Sequence, residues 1–462
     1  MALIAALILG ALLNLAFAPF DLWFIAPVSL VGLFLLISNV SIKNGFIRSL
    51  LYGFAFFAPL LHWSGSYVGW APWIALSVLQ ASIFSSIGLF AYSRNFLGGL
   101  RFAGAFLGVE LLRMQFPFGG FGWGRIGHTQ TDSLTSYYPI IGVAGISFLV
   151  AFISSLIAIR NWQSLAAIFA VSLMSFLLPI PNQSAGVLKI AAIQGGVDEL
   201  GLEFNKRALG VLRRHISTTT NIASDVDLIV WPENASDIDP EKNTTAKREL
   251  EQLLRRISSP LLVGAVQRSE EGPENVSILY EVDGRKTKYL KQDLAPFGEY
   301  MPLRSFAEWI APEAKRVVNF KPGKNPVLFA VKDTEFATLI CFELLDDDLV
   351  RKSATGASFL INQTNNATFG RSHQASQQLQ IARSRSAELG KDLVAVSTTG
   401  FTAHISNSGR ILKKLPQFQS GVLTTEMKLH NSRSPASYLP IWFWWVVALI
   451  TISLPWLRRF SR

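Results

Sequence analysis

Hydrophobic residues are concentrated in two regions of the 462-residue chain, and a long polar segment separates them. The first region holds seven apolar runs, and the second holds one run near the C-terminus. Most of these runs approach the roughly 17–25 residues that a helix needs to cross a hydrocarbon core. The predicted spans are approximately Ala2–Pro19, Leu22–Ser38, Gly45–Trp63, Trp73–Tyr92, Phe102–Leu112, Pro139–Ile159, Leu165–Leu178 and Pro440–Leu457. The fifth run is short, so the pattern predicts eight crossings, with seven as the alternative.

The polar segment alternates short apolar runs with amphipathic ones, which is typical of a layered α/β domain. The predicted strands are Val187–Gln194, Asp227–Trp231, Pro260–Val266, Ser277–Val282, Val327–Val331, Phe336–Cys341, Ser358–Ile361 and Leu393–Ser397. The predicted helices are Leu202–Ala223, Glu241–Ile257 and His373–Leu389. We therefore divide the chain into a seven-helix membrane domain at 1–181, an α/β domain at 182–435, and a last span with a basic tail at 436–462.

Composition and charge support this division. The chain is 50% hydrophobic and only 16% charged, which is too apolar for an ordinary soluble protein of this length. The formal net charge is +10. Because the surplus bases flank apolar runs and the polar segment is nearly balanced, the charge argues against a nucleic-acid partner and for membrane helices.

The basic residues also predict which side of the membrane each loop occupies. With a cytoplasmic N-terminus, Lys43, the loop 94–101, Arg160 and the tail 458–462 all lie inside. The α/β domain follows an odd number of spans, so we expect it outside the cytoplasm. The first run lacks the basic start of a signal peptide, and a second run follows closely, so a retained helical hairpin is the better interpretation.

A loop at 113–138, rich in glycine and aromatic residues, joins two predicted spans. Gly122, Gly124 and Gly127 match the spacing of a dinucleotide-binding motif. No strand precedes them and no βαβ unit surrounds them, so we reject that site. Two interpretations stay open, which are an aromatic belt at the membrane interface and a partly buried loop that holds lipid.

Cys341 is the only cysteine, which excludes intrachain disulfides and multi-cysteine metal sites. A lone cysteine is most often a small buried hydrophobic residue. This one follows the apolar run 336–340, and side chains at the ends of such strands reach the cleft of an α/β domain. A free thiol has a pKa of about 8.5, so it needs a base or a cation nearby to attack at neutral pH.

Two further polar residues follow apolar runs and supply such partners. Glu233 comes directly after Pro232, where partial burial would raise the pKa of the carboxyl and suit a general base. Lys291 follows a short β-prone run, and Glu299 lies eight residues further on, in a loop constrained by glycine and proline. Taken singly, each of them could be an ordinary loop or surface residue.

Together, Glu233, Lys291 and Cys341 resemble the Glu-Lys-Cys triad of the carbon–nitrogen hydrolase (nitrilase) superfamily, over about residues 187–427. With seven spans upstream and one downstream, the whole chain resembles the apolipoprotein N-acyltransferase family. The resemblance implies an αββα sandwich for the α/β domain, on the extracytoplasmic face of the bacterial cell membrane. It also implies transfer of a fatty acyl chain from a membrane phospholipid, through a cysteine thioester, to the N-terminal amine of a diacylated lipoprotein.

Residue chemistry suggests a role for each member of the triad in such a reaction. Glu233 would act as general base and Cys341 as nucleophile. Lys291 and the backbone N–H of Phe342 would stabilise the oxyanion. Phe342 stands where many family members have Tyr, a departure that concerns the fit to lipid more than the reaction.

Two more carboxylates are expected to support the triad. Glu299 would orient Lys291 and compensate its charge. Glu343, two residues after the cysteine, would shape the floor of the pocket or balance its charge. The six histidines show no paired metal spacing, and no phosphate loop or serine elbow is present, so we expect an enzyme without metal or cofactor. We also expect it to be a monomer.

Two alternatives remain. The first is a membrane-anchored amidase of the same superfamily, with water as the acceptor. The second is a transporter or scaffold with an inactive hydrolase-like domain, which would lack a member of the triad. All three candidate residues are present, and this favours an enzyme.

Overall fold

The fold is described from a computed structural model, in which residues 1–175, 184–220, 222 and 225–460 are described. These residues form two compact units. The first, the helical unit, comprises Met1–Gly65, Gly69–Pro181 and Ser434–Arg462. The second, the α/β unit, comprises Ser66–Val68 and Asn182–Arg433.

The helices and strands of the described residues are numbered in chain order. The helices are α1 (Ala2–Leu13), α2 (Ile25–Ile37), α3 (Ile42–Leu60), α4 (Trp70–Phe84), α5 (Phe96–Gln115), α6 (Tyr138–Ala158), α7 (Trp162–Ser175), α8 (Gly210–Thr219), α9 (Thr244–Leu254), α10 (Arg304–Ile310), α11 (Asp347–Ser353), α12 (Gln374–Leu389) and α13 (Ile441–Phe460). The strands are β1 (Val187–Gln194), β2 (Leu228–Val230), β3 (Leu261–Ser269), β4 (Gly272–Tyr280), β5 (Lys286–Leu290), β6 (Leu328–Val331), β7 (Thr334–Ile340), β8 (Phe359–Thr364), β9 (Leu393–Ser397), β10 (Ala403–Ile405), β11 (Ile411–Lys414) and β12 (Gly421–Lys428).

The helical unit contains α1–α7 and α13, and each of these helices overlaps one predicted apolar run. Among the described residues, Trp70–Leu89 and Thr135–Ala158 are long and apolar enough to cross a membrane. Ala2–Ala16, Ile25–Ile37 and Ile441–Leu454 are apolar but shorter. The number of crossings therefore stays a prediction. The last residues of the seventh predicted span, 176–178, and the end of the tail, 461–462, lie outside the described residues.

The glycine-rich loop between α5 and α6 is buried within the helical unit over residues 122–131. Glu110 of α5 holds it in place, because its Oε1 accepts the backbone N–H of Ile126 at 2.8 Å. The other oxygen of Glu110 lies 3.6 Å from Nε of Arg125 in the same loop. Over this stretch, burial argues against an interfacial aromatic belt. That the loop holds lipid stays a prediction.

The α/β unit consists of two six-stranded mixed sheets with the orders β12-β1-β2-β3-β4-β5 and β11-β10-β9-β8-β7-β6. Apolar side chains from both sheets, among them Ile190, Leu228, Phe336 and Ile361, form one buried core between them. A second core lies on the other face of the first sheet, where Leu212 and other residues of α8 and α9 pack. Helices α11 and α12 pack against the second sheet. This arrangement confirms the predicted αββα sandwich.

A buried amide joins the two sheets next to the ends of their parallel strands. Gln363 of β8 donates from Nε2 to the carbonyl of Trp231, directly after β2, at 2.6 Å. Its Oε1 accepts the hydroxyl of Thr338 in β7 at 3.0 Å and also the hydroxyl of Ser277 in β4. Because Gln363 is fully buried and its amide is satisfied on both atoms, it fixes the spacing between the strand ends that carry the candidate residues.

Some predicted elements match the observed ones, and others differ from them. β1 and β9 have the predicted bounds, and Gly390 adopts the left-handed conformation (φ 64°) at the C-terminus of α12. The helix predicted from Leu202 begins only at Gly210, and its predicted end at Ala223 lies outside the described residues. The sequence pattern did not predict β5, β10, β11 and β12. All four pair antiparallel with neighbours. β5, β11 and β12 lie at sheet edges, where strands carry less continuous apolar patterning than buried parallel ones, and β10 has only three residues.

Candidate active site

Cys341 occupies a sharp turn at the end of β7. The strand ends at Ile340, and a 3-10 turn, Cys341–Leu345, begins at once. Cys341 has φ of +52°, a left-handed conformation that costs a non-glycine residue about 1–2 kcal/mol. Such a conformation persists only where surrounding contacts hold it, and it is frequent at functional sites.

Glu343 provides one of these contacts. Its Oε2 accepts the backbone N–H of Ile340 at 2.6 Å, and its Oε1 accepts the hydroxyl of Tyr289 at 2.6 Å and the backbone N–H of Gln292 at 2.7 Å. Burial raises the pKa of this carboxyl to about 7, although these hydrogen bonds oppose the increase. The carboxyl thus ties the cysteine turn to the end of β5, where Lys291 follows.

Arg385 of α12 holds the same turn from the other side. Its guanidinium is fully buried and donates from Nε to the carbonyl of Leu344 at 2.7 Å. The same group pairs with Glu388 at 2.6 Å and with Asp347 at 2.5 Å. A planar group with five donors can satisfy these partners together, so α12 and the cysteine turn are locked to each other.

Glu233 lies beyond β2 and is buried. Its Oε2 accepts the backbone N–H of Asn365 at 2.8 Å, and its Oε1 accepts the side-chain Nδ2 of Asn275 at 2.7 Å. Oε1 also lies 3.4 Å from Nζ of Lys291. Burial raises the pKa of Glu233; the charge of Lys291 opposes the increase, and that of Glu299 adds to it. A carboxylate with a raised pKa accepts a proton more readily than an exposed one.

Lys291 is 1% exposed and lies between two carboxylates. Its Nζ is 2.8 Å from Oε2 of Glu299 and 3.4 Å from Oε1 of Glu233. Burial alone would lower the pKa of Lys291, but Glu299 and Glu233 outweigh it, so the pKa is raised and the side chain stays charged. Glu299 is held in turn by Asn275 Nδ2 at 2.8 Å and by the backbone N–H of Ala295 at 2.8 Å.

The thiol of Cys341 is protonated at neutral pH in this setting. Burial and the negative charge of Glu233 raise its pKa to about 12, whereas Lys291 and a hydrogen bond from Gln378 lower it. Moving the thiol proton to Glu233 leaves the net charge of the group unchanged, because one carboxylate is neutralised as one thiolate forms. The electrostatics therefore suit base-assisted attack better than a permanently ionised thiolate.

The structure brings Glu233, Lys291 and Glu299 into one buried, hydrogen-bonded cluster and couples Cys341 to it electrostatically. Glu343 lies behind the turn and contacts its backbone. Phe342 is the half-buried residue directly after the nucleophile candidate.

Three polar residues that contact this cluster were not predicted. Asn275 lies in β4, Asn365 follows β8 and Gln378 lies in α12. Asn365 offered only a weak signal, since it lies four residues after the predicted strand Ser358–Ile361, although it directly follows the observed β8. Asn275 and Gln378 offered none. Among the described residues, no group of three or more His, Cys, Asp or Glu side chains is arranged to hold a metal ion.

Comparison with protein families covers both units. Residues 9–156 match the family model described as "Apolipoprotein N-acyltransferase N-terminal domain", and residues 189–435 match the model described as "Carbon-nitrogen hydrolase". The second match agrees with the two-sheet sandwich of the α/β unit.

Similar full-length proteins carry the same description. An apolipoprotein N-acyltransferase of Haemophilus ducreyi is 30% identical over 99% of this chain and 97% of its own length. Those of Mycolicibacterium smegmatis and Photobacterium profundum are 32% and 30% identical; the alignments cover 93% and 99% of this chain and 80% and 96% of those proteins. The chain therefore belongs to the apolipoprotein N-acyltransferase family and is an acyltransferase.

Proposed function

We propose that this enzyme transfers a fatty acyl chain from a membrane phospholipid to the N-terminal amine of a diacylglyceryl-modified lipoprotein, through a thioester on Cys341. Membership of the family supports the overall reaction. The observation that carries the mechanism is the buried cluster of Glu233, Lys291 and Glu299 beside a cysteine in a left-handed turn. This cluster supplies the base and the positive charge that the partly buried thiol requires.

In the first step, the carboxylate of Glu233 takes the proton from Sγ of Cys341. The thiolate attacks the carbonyl carbon of the phospholipid ester, and the carbonyl oxygen becomes an oxyanion. When the oxyanion collapses, the ester C–O bond breaks and the departing alkoxide takes the proton from Glu233. The products are a lysophospholipid and a thioester on Cys341.

In the second step, the neutral amine of the lipoprotein attacks the thioester carbonyl. A free α-amino group has a pKa of about 8, so a useful fraction is neutral near physiological pH. Glu233 accepts a proton from the attacking nitrogen, the C–S bond breaks, and the proton passes to the departing thiolate of Cys341. An amide and the original thiol result.

Lys291 supplies positive charge near the reacting carbonyl in both steps. Its two carboxylate neighbours keep the ammonium charged although it is buried. A fixed charge in a water-poor site stabilises an oxyanion far better than the same charge in water. The backbone N–H of Phe342 is the second proposed donor, because this residue directly follows the nucleophile.

The chain organisation belongs to the same proposal. We propose a membrane domain at 1–181 that crosses seven times, a catalytic domain at 182–435 and a last crossing at 436–462. The basic loops support a catalytic domain on the extracytoplasmic face, where both lipid-anchored substrates would be accessible. The enzyme works as a monomer without metal or cofactor. A reporter fused near residue 300 that reports a cytoplasmic location would contradict this topology.

The reaction is tested with the purified full chain and phospholipid labelled in one acyl chain. We expect label on Cys341 by peptide mass analysis, and its transfer to a diacylated lipopeptide when that acceptor is added. Release of free fatty acid alone would indicate water as the acceptor and thus the amidase alternative. Full transfer by Cys341→Ala would show that the nucleophile is another group.

A further inference from the structure

A side chain of α12 contacts the sulfur of Cys341. Nε2 of Gln378 lies 3.5 Å from Sγ, within hydrogen-bond reach of a sulfur acceptor. Gln378 is buried. Lys291, the other donor near the thiol, is already held by Glu299 at 2.8 Å and Glu233 at 3.4 Å. The thiol therefore has a neutral donor of its own, supplied by a different element of the fold.

Hydrogen bonds behind Gln378 determine which end of its amide faces the sulfur. The chain begins at the backbone N–H of Gly400, which donates to Oγ of Ser397 at 2.8 Å. The hydroxyl of Ser397 donates to Oδ1 of Asn366 at 2.5 Å, and Nδ2 of Asn366 donates to Oε1 of Gln378 at 2.8 Å. We call these four residues the relay. The N–H of Gly400 can only donate, so Oγ of Ser397 accepts there and keeps its own hydrogen for Asn366. In this arrangement every later bond runs toward Cys341.

A second donor strengthens the same orientation. Nε2 of Gln374 lies 3.3 Å from Oε1 of Gln378. Two N–H groups thus donate to the side-chain oxygen of Gln378. If its amide were flipped, the nitrogen of Gln378 would face the nitrogens of Asn366 and Gln374. Hydrogen bonds that run in one direction polarise each other, so the last N–H becomes a better donor than an isolated amide.

We propose that Gln378 is a further catalytic residue, whose Nε2–H stabilises the thiolate of Cys341 as nucleophile in the first step and as leaving group in the second. A donor of this kind favours the charged sulfur over the neutral thiol. The sulfur of a thioester is a weaker acceptor than a thiolate, so the interaction is strongest when negative charge lies on sulfur. The bond thus helps both transition states more than the acyl-enzyme between them.

The test uses the fact that Cys341 is the only cysteine. Alkylation of the full chain by iodoacetamide, followed by intact mass at several pH values below the midpoint of the thiol, reports its ionisation without any transfer reaction. The rate there is proportional to the thiolate fraction, so a shifted midpoint is measured as a changed rate. We expect Gln378→Leu to move the midpoint of this profile upward by roughly half to one pH unit, the effect of one hydrogen bond. Alkylation would then be roughly 3- to 10-fold slower at a fixed pH below the midpoint. Gln378→Glu should move the midpoint further, because a carboxylate repels the thiolate.

The relay predicts that substitutions of Asn366 and Gln378 do not have additive effects on the midpoint of the thiol. Asn366→Leu alone should raise the midpoint, because it releases the amide of Gln378. Added to Gln378→Leu, it should produce no further shift. Ser384→Ala is the matched control, since it removes a buried hydroxyl of the same helix that donates within the helix to the carbonyl of Ile381; its profile should equal that of the wild type.

The result that overturns this inference is a Gln378→Leu profile that coincides with the wild-type profile in a folded protein. The inference rests on Cys341 being the nucleophile, and the two can fail separately. If Cys341→Ala keeps transfer activity, the proposed mechanism fails. If Cys341→Ala is inactive but Gln378→Leu leaves the thiol midpoint unchanged, only the role of Gln378 fails.

Discussion

The ammonium of Lys291 lies 2.8 Å from Oε2 of Glu299, and both side chains are largely removed from solvent. A second carboxylate, Glu233, lies 3.4 Å from the same nitrogen. The cluster therefore holds one cation and two anions, and Asn275 Nδ2 donates to both anions at 2.7 and 2.8 Å.

Replacing Lys291 should damage folding as well as catalysis. Lys291→Met leaves two buried carboxylates without their cation, and losing one partner of a buried ion pair typically costs about 3–5 kcal/mol. We expect that loss in the unfolding free energy of the detergent-solubilised chain, together with loss of acyl transfer. The double variant Lys291→Met/Glu299→Gln should recover part of the stability but none of the activity. A double variant no more stable than Lys291→Met would refute the charge argument.

The rate of thioester formation should fall at acidic pH because Glu233 must be ionised to act as base. Burial raises its pKa above the ordinary value of 4.5, so the rate should fall as pH decreases through a midpoint above 4.5. Single-turnover labelling of Cys341 measures this profile. Glu233→Gln should reduce the rate at least 100-fold, consistent with the loss of a general base, and should remove the acidic limb. If the rate of Glu233→Gln still falls at acidic pH, the group that titrates is not Glu233.

The left-handed backbone at Cys341 makes an unusual stability prediction. Glycine adopts positive φ without the steric cost that a Cβ brings. Cys341→Gly should therefore be at least as stable as Cys341→Ala, and the β-branched Cys341→Val should be the least stable of the three. Thermal unfolding of these inactive variants measures the order. Ala337→Gly, in the middle of β7, is the control and should lower stability by about 1 kcal/mol, as glycine does in an ordinary strand.

Stability should also depend on His215 at mildly acidic pH. Its Nδ1–H donates to the carbonyl of Val211 at 2.8 Å, and Nε2 accepts the backbone N–H of Gly195 at 3.2 Å. Burial lowers its pKa from 6.5 to about 4. Because the unfolded state takes up a proton first, stability should fall as pH decreases from about 6.5 to 4, by up to about 3 kcal/mol.

The difference in the pH dependence of stability between wild type and His215→Gln isolates the contribution of His215 from that of other titrating groups. Unfolding free energies of the full chain, measured between pH 7 and pH 4, should fall less steeply for the variant. Equal slopes for wild type and His215→Gln would show that this histidine does not contribute.

Local sequence patterns were sufficient to identify the family and the candidate residues. Apolar runs and their basic flanks mark the helices, since a helix long enough for a bilayer needs a continuous apolar stretch. Strand ends mark Glu233 and Cys341, because apolar β-prone runs stop where polar side chains begin. The chain order of Glu233, Lys291 and Cys341 then distinguished a nitrilase-like site from three unrelated polar residues.

The contacts that make the site work depended on the tertiary structure. Asn275, Asn365 and Gln378 reach the cluster from a strand, a loop and a helix far apart in sequence. No local pattern encodes such convergence, because it depends on how two sheets and their helices pack. The same holds for charge. The sequence determined that a base, a cation and a thiol were available. Only the tertiary structure decided that burial keeps the thiol protonated and that the neighbouring carboxylates of Glu299 and Glu233 keep the buried Lys291 charged.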